Sequence, residues 1–266
     1  VSRIALLGAL AAAMLAAGSP AALAAPPQIV RPANERGLAP QELGRQLFAA
    51  NCSTCHGSLG QGVSARRPQP GSTAPVGEGP PLIGVGKLAT DFYLRTGYMP
   101  LADPHDQPER NRVLLTDPEI RAVETYVDSL GRPGPPVPHP DPAAGSLADG
   151  LKLFTEHCAG CHTVVGQGGV VTGARVPPLG SATAVQIAQA VRIGPYLMPR
   201  FSKTDISDGQ LNSIVRYVRY AQHPDDAGGW GIGHLGPFPE GLVTWGIAAL
   251  LLVALCMLIG ERARRS

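Results

Sequence analysis

Apolar residues follow three patterns along this chain. Ile120, Val123, Tyr126 and Val127 fall at helical spacing, as do Leu211, Ile214, Tyr217 and Val218, so each set predicts an amphipathic helix with one face turned inward. Shorter apolar stripes, Leu47-Phe48 and Leu153-Phe154, run into a cysteine; Pro40 and Ser146 mark the helix starts before them. The third pattern is continuous. Gly241 to Gly260 carries no charge, and twenty helical residues cover about 30 Å, the thickness of a bilayer's hydrocarbon core.

The first two patterns belong to an internal duplication. Leu47 to Cys52 matches Leu153 to Cys158 at an offset of 106, Pro80-Pro81-Leu82 answers Pro177-Pro178-Leu179, and Tyr98-Met99-Pro100 answers Leu197-Met198-Pro199. The repeats predict two tandem, mainly α domains over 37–131 and 146–224, followed by a membrane helix at 241–260 and a short tail at 261–266. Residues 132–145 hold six prolines in fourteen positions and predict an extended, stiff connector. Arg66 to Gly79 and Leu101 to Thr116 lack counterparts of equal length in the second repeat and are expected to be surface insertions. The glycine-rich stretch 225–240 is expected to be a juxtamembrane segment, either flexible or docked.

At the N-terminus, Arg3, the apolar stretch Ile4 to Ala17 and the small residues of Ala22-Leu23-Ala24 together predict an export signal over 1–24. A retained N-terminal anchor is the alternative reading. Arg262, Arg264 and Arg265 follow the long apolar run, which by the positive-inside rule puts the C-terminus in the cytoplasm and both repeats on the outer face. Trp245 suits the interface at the outer end. The net charge of +2 comes from the chain's ends, since 25–240 holds 18 Lys or Arg against 19 Asp or Glu. Nothing in that balance points to nucleic acid.

The chemistry lies in two pentapeptides, Cys52-Ser-Thr-Cys55-His56 and Cys158-Ala-Gly-Cys161-His162. Cys-x-x-Cys alone is compatible with a redox dithiol or zinc, but both copies end in histidine and neither repeat has a second cysteine pair at zinc-ribbon spacing. Two thiols for thioether bonds and one imidazole for iron predict a covalent haem c in each repeat. With four cysteines so used and Cys256 inside the apolar run, no disulfide is expected. The sixth iron position is expected to fall to Met99 and Met198, which stand 43 and 36 residues after His56 and His162, each before a proline. His105 is the alternative sixth ligand in the first repeat. His139, His157, His223 and His234 are expected at the surface.

Over 37–131 and 146–224 these residues resemble the class I cytochrome c fold, in which the first and last helices cross. Gly44 with Phe48, Gly150 with Phe154, and Tyr126 or Tyr217 stand where that crossing is made. Two such domains followed by one C-terminal helix resemble the dihaem cytochrome c subunit of the actinobacterial cytochrome bcc complex. The resemblance rests on Pro81-Leu82-Ile83-Gly84-Val85-Gly86, Tyr98-Met99-Pro100, Gly194-Pro195, Met198-Pro199-Arg200-Phe201 and Gly236-Pro237-Phe238-Pro239-Glu240-Gly241. It implies an electron-transfer subunit of a quinol–cytochrome c reductase in the translocase class, in the plasma membrane. Its partners would be cytochrome b, a Rieske iron–sulfur protein that feeds the first haem, and a haem-copper oxidase that drains the second. Rivals are a dihaem subunit of a cbb-type oxidase, whose membrane helix usually precedes its c domains, or of a membrane dehydrogenase. A dihaem peroxidase needs an open iron site, against which the two methionines argue. A haem sensor would need a cytoplasmic domain.

Overall fold

The computed structural model describes residues 28–63, 78–225 and 237–265. The expected export signal at 1–24, most of the 66–79 insertion, His234 and most of the juxtamembrane segment lie outside them. Two compact units emerge: residues up to Pro138 together with Gln189–Arg200, and His139–Ala188 together with the chain from Phe201 onward.

In the first unit, α1 (Pro40–Asn51) begins with proline at its first position, where a missing N–H costs nothing. The single turn α2 (Ser53–His56) follows, then α3 (Gly86–Arg95) and α4 (Asp117–Asp128). Helix α4 starts with a capping box: Thr116 and Glu119 satisfy each other's backbone N–H groups. The cap is reinforced from outside, because Arg31 Nε donates to Glu119 Oε1 at 2.6 Å. Helices α1 and α4 cross where Gly44 lies against the Ala122 carbonyl, a contact that leaves no room for a Cβ. Phe48 and Tyr126 close that crossing with ring centroids 5.1 Å apart. Leu43, Leu47, Phe48, Leu94, Ile120, Val123 and Val127 form the core around it.

The second unit repeats the plan with α5 (Leu147–His157), α6 (Ala159–His162), α7 (Ala184–Ile193), whose last residues belong to the first unit, and α8 (Asp208–Gln222). Gly150 meets the Ser213 carbonyl, and Phe154 stands 5.3 Å from Tyr217. The cap of α8 is the box Ser207 and Gln210, with a neutral amide in place of the first unit's carboxylate. Strands β1 (Gly169–Val171) and β2 (Ala174–Val176) pair antiparallel. Their first-unit counterpart is one bridge, Val63 to Gly79.

The connector divides between the units. Gly134 packs on Gly86 and its N–H donates to Asp128 in the first unit, whereas the Gly145 carbonyl accepts from Arg216 at 2.6 Å in the second. Residues 101–116 form an irregular segment. Helix α9 (Pro237–Arg265) ends the described chain, and its Gly241–Arg265 part is long and apolar enough to cross a bilayer.

Candidate haem sites

Each site begins with one helical turn. In the first, Cys55 and His56 both donate their N–H to the Cys52 carbonyl, at 3.2 and 2.9 Å; in the second, Cys161 and His162 do so to Cys158, at 3.1 and 2.9 Å. A turn of this pitch sets cysteines three apart on one face and carries the next residue, histidine, alongside them. Burial pushes the Cys52 thiol up to about 12 and the Cys158 thiol up to about 11, with the neighbouring cysteine as a lesser cause in each. Both are thereby held as neutral thiols.

The histidines are oriented by backbone. His56 Nδ1 lies 2.8 Å from the Pro80 carbonyl, and His162 Nδ1 lies 3.2 Å from the Pro177 carbonyl. A carbonyl can only accept, so each Nδ1 carries a proton, and the neutral form of each ring then has its lone pair on Nε2, where a metal could take it. Burial also pushes the His162 imidazole below the ordinary histidine value, against the opposing effect of the Pro177 carbonyl, which favours the neutral ligand.

The strap that supplies these carbonyls is pinned in both units by the same bonds. Leu82 N–H donates to Gly60 and Leu179 N–H to Gly166, each at 2.7 Å, and Gly62 and Gly168 N–H return to the carbonyls of His56 and His162 at 2.8 and 3.0 Å. Gly60 and Gly166 have φ of +68° and +71°, a conformation that favours glycine. Beside the second strap an apolar cleft of about 240 Å³ is lined by Phe154, Val164, Leu179, Tyr217 and Val218 among others.

Cys52, Leu82 and Met99 all pack against the first unit's core, which brings the first attachment cysteine and the expected sixth ligand to one cluster. The Met99 turn hangs from α3: its N–H donates to the Tyr93 carbonyl at 3.1 Å, while Tyr98 packs edge-on to Phe92 at 5.5 Å. Met198 is half-buried in a turn whose N–H returns to Pro195 at 3.0 Å, closed over Gly194 at φ +63°. His105 has a side chain 68% exposed and pairs with Asp103 at 2.9 Å, whose carboxylate raises its pKa. His139, His157 and His223 are exposed. Sequence reasoning missed the carbonyls of Pro80 and Pro177 as functional groups, although the matching Pro-Pro-Leu triplets were their signal.

Thus both units present two cysteine sulfurs and an imidazole fixed by a backbone acceptor, a donor set that fits a covalently held haem. Comparison with known proteins agrees. Residues 41–131 match the cytochrome c family, and residues 145–218 match subunit III of cbb3-type cytochrome c oxidase. The cytochrome bc1 complex cytochrome c subunits of Mycobacterium bovis and Mycobacterium tuberculosis are each 34% identical over 94% of this chain and 88% of theirs. That of Corynebacterium diphtheriae is 33% identical over 83% of this chain and 80% of its own. The CcoP subunit of an Azospirillum cbb3-type oxidase is 28% identical over 66% of this chain. Two cytochrome c domains, two covalent haems and a relationship to these relatives along nearly the whole length place the chain in one family: it belongs to the cytochrome c subunits of the cytochrome bc1 complex.

Proposed function

We propose that this chain is the electron-carrying subunit of a quinol-oxidising respiratory complex, taking electrons from a Rieske iron–sulfur protein at one haem and delivering them from the other to a haem-copper oxidase. In this reading Cys52 with Cys55, and Cys158 with Cys161, form the thioether bonds. His56 and His162 are the proximal ligands, Met99 and Met198 the distal ones. The haems would supply reversible one-electron chemistry; the chain's own work is to orient each imidazole through its backbone acceptor, hold the attachment turn and offer a sixth ligand. A thioether ligand favours ferrous iron and raises the potential, as suits a carrier late in a respiratory chain.

The observation that carries this reading is the pair of repeat-related histidines bonded to the carbonyls of Pro80 and Pro177, since that acceptor keeps a lone pair facing the metal in both units. The family supports membership of the translocase class and contact with cytochrome b, and the charges of Arg262, Arg264 and Arg265 support a cytoplasmic C-terminus. Replacing Met99 and Met198 singly by alanine should each remove half of the near-infrared band of methionine-ligated ferric haem, while His105→Ala leaves it whole. Loss of half the band in His105→Ala with none in Met99→Ala would reassign the first site. Purification of the tagged full chain in mild detergent should bring cytochrome b and a Rieske protein with it. The similarity to CcoP favours a second reading as an oxidase subunit, for which oxidase subunits would co-purify without cytochrome b.

A further inference from the structure

Between α3 and α4 runs a ladder of charged groups that the proposed electron path does not use. Lys87, Asp91 and Arg95 rise one turn apart on α3. Lys87 faces Asp128 at 4.0 Å, and Arg95 bonds Asp91 at 2.5 Å and Asp117 at 2.6 Å. The middle rung is acid against acid: the Glu124 side chain is hydrogen-bonded to Asp91, and the two are only 8% and 5% exposed.

Two carboxyl groups can bond each other only if one keeps its proton. Asp91 already accepts from Arg95 on Oδ1 and, at 2.7 Å, from the amide of fully buried Gln189 on Oδ2, so both its oxygens serve as acceptors. Glu124 is therefore the donor. Its Oε1 is buried without a hydrogen-bond partner among the described residues, as a carboxylate oxygen could not cheaply be.

We propose that protonated Glu124 is a positioning residue for Met99, fastening α3 to α4 through Asp91 and so fixing the helix from which the Met99 turn hangs. The link to the turn is short. Thr96 caps α3 by donating to Phe92 at 2.6 Å, and Met99 N–H returns to Tyr93 on the same helix. Loss of the proton would leave two buried anions at the helix contact. The groups facing them are Lys87 and Arg95 on α3, Asp117 and Asp128 on α4, and neutral Gln189. On α1, packed against the other flank of α4, Glu42 and Arg45 pair with each other. Arg95 is already shared between two carboxylates, so the second anion lacks an equal countercharge.

The proposal rests on Met99 ligating the first haem. Burial, then the bond to Asp91, pushes Glu124 up to about 8, which sets the range to probe. In the ferric full-length protein, the half of the near-infrared band that Met99→Ala removes should bleach in a one-proton transition around that pH. The half due to Met198 should not follow it. Glu124→Gln, which can still donate to Asp91 but cannot ionise, should keep the band and move the transition to a proton activity about tenfold or more lower, or abolish it. Glu124→Leu should lose much of that half-band at neutral pH. Hydrogen exchange at residues 92–98 should accelerate across the same pH range in the parent protein and not in Glu124→Gln. The same midpoint in parent and Glu124→Gln, or a parent band and exchange rate that stay flat, overturns the proposal. A full band in Met99→Ala would instead show that the ligand assignment had failed, and the exchange measurement would still report whether Glu124 controls α3.

Discussion

The two units share their attachment chemistry to within a few tenths of an ångström and differ in how the surrounding helices are tied. Both use a one-turn Cys-x-x-Cys-His helix, a proline carbonyl on the histidine and a Leu-to-Gly strap bond. Around that common site the first unit places ions: Arg31 on the α4 cap, and the Lys87 to Asp128, Arg95 to Asp91 and Arg95 to Asp117 pairs between helices. The second unit caps α8 with the neutral pair Ser207 and Gln210, and pairs two short strands where the first has the single bridge Val63 to Gly79. A haem-binding loop thus tolerates two different supports, provided the helix crossing and the strap are kept. Among the described residues, the buried carboxyl groups Asp91, Glu119 and Glu124 all belong to the first support.

The crossing is where the comparison is easiest to break. Gly44→Val and Gly150→Val each put atoms onto a backbone carbonyl that has no room to yield, so each should cost about 3 kcal/mol or more. The measurement is haem content per chain with fragment-resolved hydrogen exchange: each variant should lose the signature of its own unit while the other survives. Simultaneous loss of both units from either single variant would mean that the two do not fold independently.

A smaller effect separates the two helix caps. Burial alone would push Glu119 up, but Arg31 and the Thr116 cap hold its carboxyl below the ordinary glutamate value. A lowered folded-state pKa contributes stability that is present above the unfolded value of 4.5 and is lost as pH falls through the folded value. Glu119→Gln should therefore destabilise α4 by about 1–3 kcal/mol at pH 7 and by less in acid. Gln210→Ala should cost α8 only about 1 kcal/mol, with no such acid dependence. Exchange protection of the two helices between pH 3 and 7 checks both, and parallel acid profiles would remove the distinction between charged and neutral support.

Much of this could be read from the chain. The offset of 106 links Gly44 with Gly150 and Phe48 with Phe154, and both pairs make the helix crossings expected of them. Helices α1, α4, α5 and α8 were legible because their apolar faces keep one period and their caps stand in sequence. Helix α3 was harder, since its core residues Leu88, Ala89 and Phe92 lie among buried Asp91 and the ion pairs of Lys87 and Arg95, which look like an ordinary solvated face until α4 covers them. Asp91 and Glu124 are 33 positions apart, and no local pattern announces that two acids will share a proton. The β1–β2 hairpin was missed because three-residue strands are too short for alternation to register. The sites differ in the same way: cysteines and histidines form a motif, whereas a main-chain acceptor leaves no letter of its own.

That last property shapes what can vary at these sites. The group that orients each histidine belongs to the peptide bond of residue 80 or 177, so exchanging the side chain there leaves the acceptor in place. Site-by-site mutagenesis would therefore score the position as permissive, and its role would surface only in insertions, deletions or changes at Gly79, where an added Cβ would collide with the Cys55 carbonyl and crowd His56. The orientation of the proposed iron ligand is thereby shielded from most point substitution and exposed to slippage of the strap.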